Sequence, residues 1–454
     1  MLRLQRAHYK PLLSIGVPIM IGQVAIVLVS FVDNIMVGNH SLDELAAAAF
    51  VNNFLNLLLV LGMGFSYGLT PLVAESHKLN RPERAGLYLK GSMLLNTLLA
   101  LALGGIALGL SPFLEFFNLE SRLMPLAQPY YLLQVISFVV SMVFNGLKQF
   151  YDGMSRTRLP MYITIAGVGI NILLNWGLIY GRMGLPEWGL YGAGIATLIS
   201  RVAMVALLGL SFFADRSLGK ERYGFFAGRL DRSILKPLTL LGTPVAIQLG
   251  LETASFTIAV IFVARIGSFA LAAHQVVNTV TVLGFLMYYG LGSATAIRVS
   301  HYRAIEDYQE AKNVARAAHQ IGSVMALVAM IVIFAIRSKV SLLFNPDERL
   351  APLVAITLIP VVIYQLGDML QIVYANALRG LGHVRMLVPI SILCHLLVAP
   401  ILAYLFAFVL MAEHPEWQLL AVWSAFPISL TLIGILLYRD FYKNCNKESF
   451  QPKS

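Results

Sequence analysis

The chain has 454 residues, of which 58% are hydrophobic and only 12% are charged, and its mean hydropathy is +0.75. A soluble chain carries roughly 25% charged residues, so this composition excludes an ordinary soluble protein and indicates a polytopic membrane protein. The formal net charge of +10 does not indicate a nucleic-acid partner, because the basic residues are scattered between apolar runs and are not clustered on folded domains.

Twelve apolar runs follow one another along the chain, and each is long enough to span a bilayer. They cover about 12–37, 46–72, 86–110, 125–150, 159–181, 190–213, 237–263, 270–297, 313–336, 352–378, 386–411 and 417–438. Most Lys and Arg residues lie in the loops on the side of both termini, and positive residues are retained in the cytoplasm. We therefore expect a multi-pass protein of the cell membrane, in contact with lipids, with both termini cytoplasmic.

The sequence repeats itself after the sixth span. One nearly constant shift places Gly16 and Pro18 on Gly242 and Pro244, with further matches along both halves. Each half has an even number of spans, so both have the same orientation and the pseudo-twofold axis runs along the membrane normal. The predicted fold is all-α, with twelve transmembrane helices in two pseudo-symmetric six-helix lobes. The predicted parts are an N-terminal lobe at 1–213, a cytoplasmic linker at 214–236, a C-terminal lobe at 237–440 and a cytoplasmic tail at 441–454.

Three carboxylates lie inside apolar runs, whereas the other acidic residues lie in loops or near span ends. Glu252 falls near the middle of the seventh run, Asp368 lies in the tenth and Asp33 in the first. Acids within a membrane are costly enough to indicate a functional site. The repeat aligns none of the three with an acid of the other half, so the charges are specific to each half.

In the second half, Tyr364, Asp368 and Gln371 share one helical face because of their spacing. If Glu252 faces them, their oxygen atoms suit a small hard cation, and Glu252 and Asp368 would then bind Na⁺ in a sodium-coupled protein. Tyr288 offers an aromatic face for an organic cation or a hydroxyl for the ion. The alternatives are structural: hydrogen-bonded, neutral acids, and tyrosines that pack with satisfied hydroxyls.

In the first half, Asn171 and Asn175 lie one helical turn apart and can face Asp33, with Thr197 nearby. Asp33 is closer to the outer end of its span than the other two acids. The alternative for Asp33 is therefore a solvated, helix-capping or hydrogen-bonding role.

Polar residues of the eighth span form a weaker pattern. Gln275 and Asn278, beside His274, can line a secondary or substrate cavity of the second half. An interhelical hydrogen bond explains such residues equally well, because polar side chains often join packed spans.

Four stretches carry a resemblance to a known family. They are FVDNIMVG at 31–38, AAHQVVN at 272–278, ATAIRVS at 294–300 and GDMLQIVYANALRGLG at 367–382. Together they resemble the multidrug and toxic compound extrusion (MATE) transporters, in particular the NorM-like branch. The resemblance implies a V-shaped pair of six-helix lobes that exports organic cations and drugs, driven by inward Na⁺ or H⁺. We expect the protein to be a monomer.

The same resemblance implies a cation site around Glu252 and Asp368 and a functional acid at Asp33. Some family members carry a second acid in the fifth span, where this sequence has Asn175. The position that completes an ion site in the first lobe of those members is therefore an amide in this sequence.

Two other functions stay open. A flippase for a lipid-linked glycan or peptide would line a large cavity with basic residues, and Arg201 is the main basic residue deep in these spans. An intramembrane enzyme would place two acids on neighbouring spans and needs no whole-chain repeat. The sequence has no phosphate-binding loop, and Cys394 and Cys445 fit neither a disulfide framework nor a metal site. We therefore expect an antiporter without cofactors, coupled to Na⁺ or H⁺, that works by alternating access and is not an enzyme.

Overall fold

The computed structural model describes residues 2–117, 120–340 and 349–449, and these residues contain helices but no β-strand. Twelve of the helical segments found there are long and apolar enough to cross a membrane. Each predicted run overlaps one of these segments almost completely. The prediction of an all-α, twelve-span membrane protein is therefore confirmed.

The helices of the two halves follow the same order of spans. The first half contains α1 (Leu2–His40), α2 (Leu42–Ser66), α3 (Leu69–Lys78), α4 (Pro82–Leu110), α5 (Met124–Gly153), α6 (Arg158–Tyr180), α7 (Gly189–Ala214) and α8 (Gly219–Ala227). The second half contains α9 (Arg232–Ile266), α10 (Ser268–Ala304), α11 (Tyr308–Ile336), α12 (Leu350–Leu381), α13 (Leu387–Ser391), α14 (Ala399–Tyr404) and α15 (Pro415–Ser449). The eleventh span, Leu387–Leu410, consists of α13, α14 and two π-helical segments, Ile392–Val398 and Leu405–Leu410.

By their internal contacts, the residues form two compact units. Unit 1 comprises Met1–Met20 and Ile247–Ser454, and unit 2 comprises Ile21–Ala246. The helices α1 and α9 therefore each contribute to both units, and in each the change falls two residues after the repeated proline, Pro18 or Pro244. The helices α1 and α9, which correspond to each other in the repeat, are thus divided between the two units at corresponding positions. The predicted lobes follow the sequence halves instead, and their boundaries stay a prediction.

Within each unit, the fourth span of one half packs against several others. In unit 1, α12 packs against α10, α11 and α15, and in unit 2, α5 packs against α2, α4 and α7. Small residues allow such backbones to approach closely. A Cβ added at Gly380 of α12 would lie 2.4 Å from the carbonyl oxygen of Ala296 in α10. Most residues of α12 and α5 are therefore buried inside their units.

The predicted linker contains the short helix α8, which packs on α4. A Cβ at Gly86 would lie 1.8 Å from the carbonyl oxygen of Glu221, and one at Gly224 would lie 2.0 Å from that of Glu83. At the start of this segment, Asp215 accepts a 2.6 Å hydrogen bond from Arg156. Hydrogen bonds from the Ser217 hydroxyl and amide, together with Arg156, lower the pKa of Asp215.

The contact between α4 and α8 gives a stability prediction. We expect Gly86→Ala to lower the midpoint of thermal unfolding, because the two backbones must separate; overpacking of this kind costs about 1–3 kcal/mol. Gly105→Ala on the same helix is the control, since its Cβ would meet nothing within 4 Å. Scanning fluorimetry of the purified protein in detergent measures both midpoints. Equal midpoints would contradict the close packing.

Candidate functional site

Glu252 lies on the buried polar face of α9, within unit 1. Gln248, Glu252 and Ser255 are all buried, and their spacing of four and three residues places them on one side of the helix. The Glu252 side chain is only 8% exposed. Helical periodicity therefore points the carboxylate into the unit, where it needs partners from other helices.

Those partners come from α12. Tyr364, Asp368 and Gln371 are buried, each with an exposed fraction of 4% or less. The Gln371 amide lies beside the Glu252 carboxyl, and the charges of Glu252 and Asp368 interact. Tyr364 lies near both acids and near Thr281 of α10. The structure thus brings together the four residues that the sequence placed in one candidate site.

Several polar atoms of this cluster have no hydrogen-bond partner among the described residues. They are the Tyr364 hydroxyl and both polar atoms of the Gln371 amide. These atoms lie near Thr281 and the Glu252 carboxyl, and buried polar groups are costly when they lack a hydrogen bond. No group of three or more His, Cys, Asp or Glu side chains that could hold a metal occurs in the described residues. A cation bound here would therefore depend on two carboxylates and neutral oxygen atoms.

Tyr288 of α10 forms a hydrogen bond with a side chain of α12. Its hydroxyl donates a 2.8 Å hydrogen bond to Oε1 of Gln365, and both side chains are fully buried. Gly284 leaves room for this amide, because a Cβ there would lie 2.6 Å from Gln365 Oε1. Sequence reasoning missed Gln365, since it lies off the helical face shared by Tyr364 and Asp368. Gln365 is an uncharged amide within an apolar run, and this feature of the sequence could have identified it as a candidate.

The polar residues at the start of α10 lie in a different setting. His274 is buried, and its Nδ1 accepts a 3.1 Å hydrogen bond from Nε1 of Trp423 in α15. This bond between α10 and α15 is the interhelical hydrogen bond given above as the structural alternative for the polar residues of the eighth span. Gln275 is exposed and Asn278 is half-buried, and neither hydrogen-bonds to Glu252 or Asp368 in the described part of the chain. Their cavity role stays a prediction.

Unit 2 has its own polar chain around Asp33. Asn175 donates a short hydrogen bond to Asp33 and a 3.1 Å bond to Oδ1 of Asn171, which in turn donates to Thr197 over 3.5 Å. Asn175 therefore contacts Asp33 directly, whereas Asn171 and Thr197 are linked to Asp33 only through Asn175. Among the described residues, the Asp33 carboxylate is therefore bonded to the Asn175 amide and not to a second carboxylate.

A second polar group lies close to Asp33 in the same unit. Nη1 of Arg201 in α7 donates a 2.9 Å hydrogen bond to Ser137 of α5, and the Tyr130 hydroxyl donates a 3.3 Å bond to Oδ1 of Asn52 in α2. The charges of Arg201 and Asp33 interact without forming an ion pair. The candidate sites thus differ in charge: two carboxylates in unit 1, and one carboxylate with one guanidinium in unit 2.

Solved structures define the class of this fold. A MOP superfamily transporter from Pyrococcus furiosus aligns with a TM-score of 0.85 and 16% identity over 99% of this chain and 98% of that one. The eukaryotic MATE transporter AtDTX14 aligns with a TM-score of 0.86 and 18% identity over 98% of this chain and 99% of that one. The fold is therefore that of these twelve-span transporters.

The sequence comparisons show the family. The MatE family model matches residues 18–177 and 244–405, which are parts of the two repeated halves. Multidrug resistance protein NorM of Photobacterium profundum is 27% identical over 84% of this chain and 83% of its own length. NorM of Vibrio cholerae is 28% identical over 81% of both chains, and PmpM of Pseudomonas aeruginosa is 27% identical over 84% of this chain and 80% of its own. The chain belongs to the MATE family of membrane transporters and is not an enzyme, so the resemblance is confirmed.

The bond between Tyr288 and Gln365 gives a second stability prediction. Tyr288→Phe removes the donor and leaves the buried Gln365 oxygen unpaired, which costs about 1–3 kcal/mol. Adding Gln365→Leu should recover part of this loss, so the two substitutions should not be additive. A double-mutant cycle of unfolding in detergent measures the coupling, with Tyr162→Phe at a side chain 62% exposed as the control. Additive effects would contradict a direct bond.

Proposed function

We propose that this protein is a secondary antiporter that exports organic cations and drugs in exchange for Na⁺ or H⁺ by alternating access. Relatives named multidrug resistance proteins support the substrate class. We further propose that the protein is a monomer in the cell membrane. Both termini would lie in the cytoplasm, because the loops on their side of the membrane carry most of the Lys and Arg residues.

The observation that carries the proposal is the pair of buried carboxylates in unit 1. The charges of Glu252 and Asp368 interact in a protein interior, beside the buried side chains of Tyr364 and Gln371. Two neighbouring carboxylates cannot both stay ionised there without a counter-charge, since an unpaired charge in a membrane costs several kcal/mol. A proton, Na⁺ or an organic cation would each remove part of that cost.

Exchange follows if these cations compete for one site. Each ligand favours the arrangement of the protein that binds it best, and a shared site then couples the two fluxes through this difference in affinity. The coupling ion and the drug are both transported substrates in this scheme. H⁺ requires only one of the two carboxylates, whereas Na⁺ would also recruit neutral oxygen atoms such as those of Tyr364 and Gln371.

Asp33 is proposed as a second, weaker participant. It is a single acid held by Asn175 and influenced by Arg201, so its charge is already partly balanced. Such a site attracts a bare cation less strongly than the paired acids of unit 1.

The carboxylates give the first functional prediction. We expect Glu252→Gln and Asp368→Asn each to slow gradient-driven export of a fluorescent organic cation about tenfold or more, because each removes a charge that the coupling ion neutralises. Glu413→Gln, at an exposed loop position, is the control and should export at the parental rate. Dye efflux from preloaded cells that lack their own exporters measures all three. Parental rates in both site variants would exclude this pair as the coupling site.

The second functional prediction identifies the coupling ion. In proteoliposomes, an imposed Na⁺ gradient or an imposed pH gradient should drive the dye against its own gradient, and the matching ionophore should abolish this accumulation. Glu252→Gln in the same liposomes should accumulate no dye. Uphill accumulation without either gradient would contradict ion exchange.

A further inference from the structure

We propose that a basic cavity of unit 2 binds the phosphate headgroup of an anionic membrane lipid, with Arg81, Arg216 and Lys220 as its charged partners. The cavity lies beside the segment that joins the two halves of the chain. It shares no residue with the clusters around Glu252 and Asp33. The inference therefore goes beyond the proposed transport and adds a site at which the protein recognises its membrane.

The first observation is the cavity itself. Its volume is about 480 Å³, within the range of roughly 300–1,000 Å³ that is typical of small-molecule sites. Three parts of the chain that are distant in sequence form its wall: the loop between α3 and α4, the residues just after α5, and the segment from the end of α7 into α8. The polar wall residues include Asn80, Arg81, Arg156, Arg216, Ser217 and Lys220. The fold thus brings four basic side chains to one cavity.

The second observation is that three of these four side chains have no partner in the part of the chain that the structure describes. Arg156 donates a 2.6 Å hydrogen bond to Asp215 and a second bond to Ser217. The side chains of Arg81, Arg216 and Lys220 are exposed and form no hydrogen bond or ion pair with any described residue. Like charges around one cavity repel each other. An anion between them would relieve this repulsion, and phosphate oxygens are strong acceptors for Arg and Lys.

The acidic residues near the cavity do not balance this charge. Glu221 belongs to the cavity wall, but its side chain is buried and lies close to His77. Among the described residues, Glu221 forms no ion pair with the three unpaired basic side chains. Even with Asp215 included, four basic side chains face two acids. The cavity therefore keeps a net positive charge and favours an anionic ligand.

The third observation places the cavity at the boundary of the membrane. The span Gly189–Ala214 ends directly before the cavity-lining segment. Arg222 of α8 donates hydrogen bonds of 3.0, 2.8 and 2.7 Å to the carbonyl oxygens of Phe212, Phe213 and Asp215, which are carbonyls that the end of a helix leaves without intrahelical partners. These bonds hold α8 against the end of the span.

Exposed aromatic side chains on α7 and α8 favour a lipid over a soluble phosphate. Phe213, Tyr223 and Phe226 are each more than half exposed, and the rings of Phe213 and Phe226 stack with centroids 6.0 Å apart. Aromatic side chains beside basic ones are typical of helices that lie in the membrane interface, and basic clusters just outside a span attract anionic lipids. The aromatic rings would contact the acyl boundary while the basic side chains bind the headgroup.

A lipid titration followed by native mass spectrometry tests the proposal. The full-length protein in detergent is titrated with dioleoyl phosphatidylglycerol, which is anionic, and with dioleoyl phosphatidylcholine, which has the same chains and no net charge. We expect the first phosphatidylglycerol to bind the parent about tenfold or more tightly than the first phosphatidylcholine. Joint Arg216→Gln and Lys220→Gln should weaken phosphatidylglycerol binding about tenfold or more, since each basic residue at a membrane surface contributes about fivefold. Phosphatidylcholine binding should stay within about twofold.

A matched double variant distinguishes a site from a general attraction. Joint Arg158→Gln and Arg229→Gln removes the same charge from exposed residues that do not line the cavity, and it should keep phosphatidylglycerol binding within about twofold of the parent. Arg81→Gln, on another part of the cavity wall, is the second site variant and should weaken binding about fivefold. Thermal unfolding midpoints in detergent verify that all variants are folded.

Competition with soluble sn-glycerol 3-phosphate separates the two sources of a phosphate group. We expect it to leave phosphatidylglycerol bound when both are present at equal concentration, because it lacks the acyl chains. Displacement at equal concentration would overturn the assignment to a lipid. A parent without preference for phosphatidylglycerol, unchanged binding in the folded site variants, or an equal loss in the site and control double variants would overturn the site itself.

Discussion

A carboxylate inside a membrane protein has little water to solvate it, and the architecture of both units depends on how such groups are held. In unit 1, Glu252 meets a second acid and an amide, and the cluster keeps polar atoms without partners among the described residues. In unit 2, Asp33 is bonded to the Asn175 amide, and its charge interacts with that of the Arg201 guanidinium. The first arrangement needs an added cation more strongly than the second does.

The repeat supplies a common scaffold for these different charges. The helices α1 and α9 carry prolines at equivalent positions and change from one compact unit to the other at equivalent points. The central helices α5 and α12 are likewise the fourth spans of their halves, and both pack closely against their neighbours. Small residues make this packing possible and tolerate little variation. The inward-facing polar side chains differ between the two halves, so the same arrangement of helices holds two sites of different charge.

This division of charge bears on the ion exchange that we propose. A doubly acidic cluster suits H⁺, Na⁺ or a simple organic cation, and competition among them is a sufficient basis for exchange.

The sequence by itself determined the twelve spans, the repeat and the three unusual acids, because hydropathy and helical period are local properties of the chain. It also placed Tyr364, Asp368 and Gln371 on one face. Only the tertiary structure decided which faces meet. The contact between Glu252 and Gln371, the bond from Tyr288 to Gln365 and that from Arg201 to Ser137 each join separate helices. Their rotation and close approach depend on the packing of the whole unit, which no local pattern records.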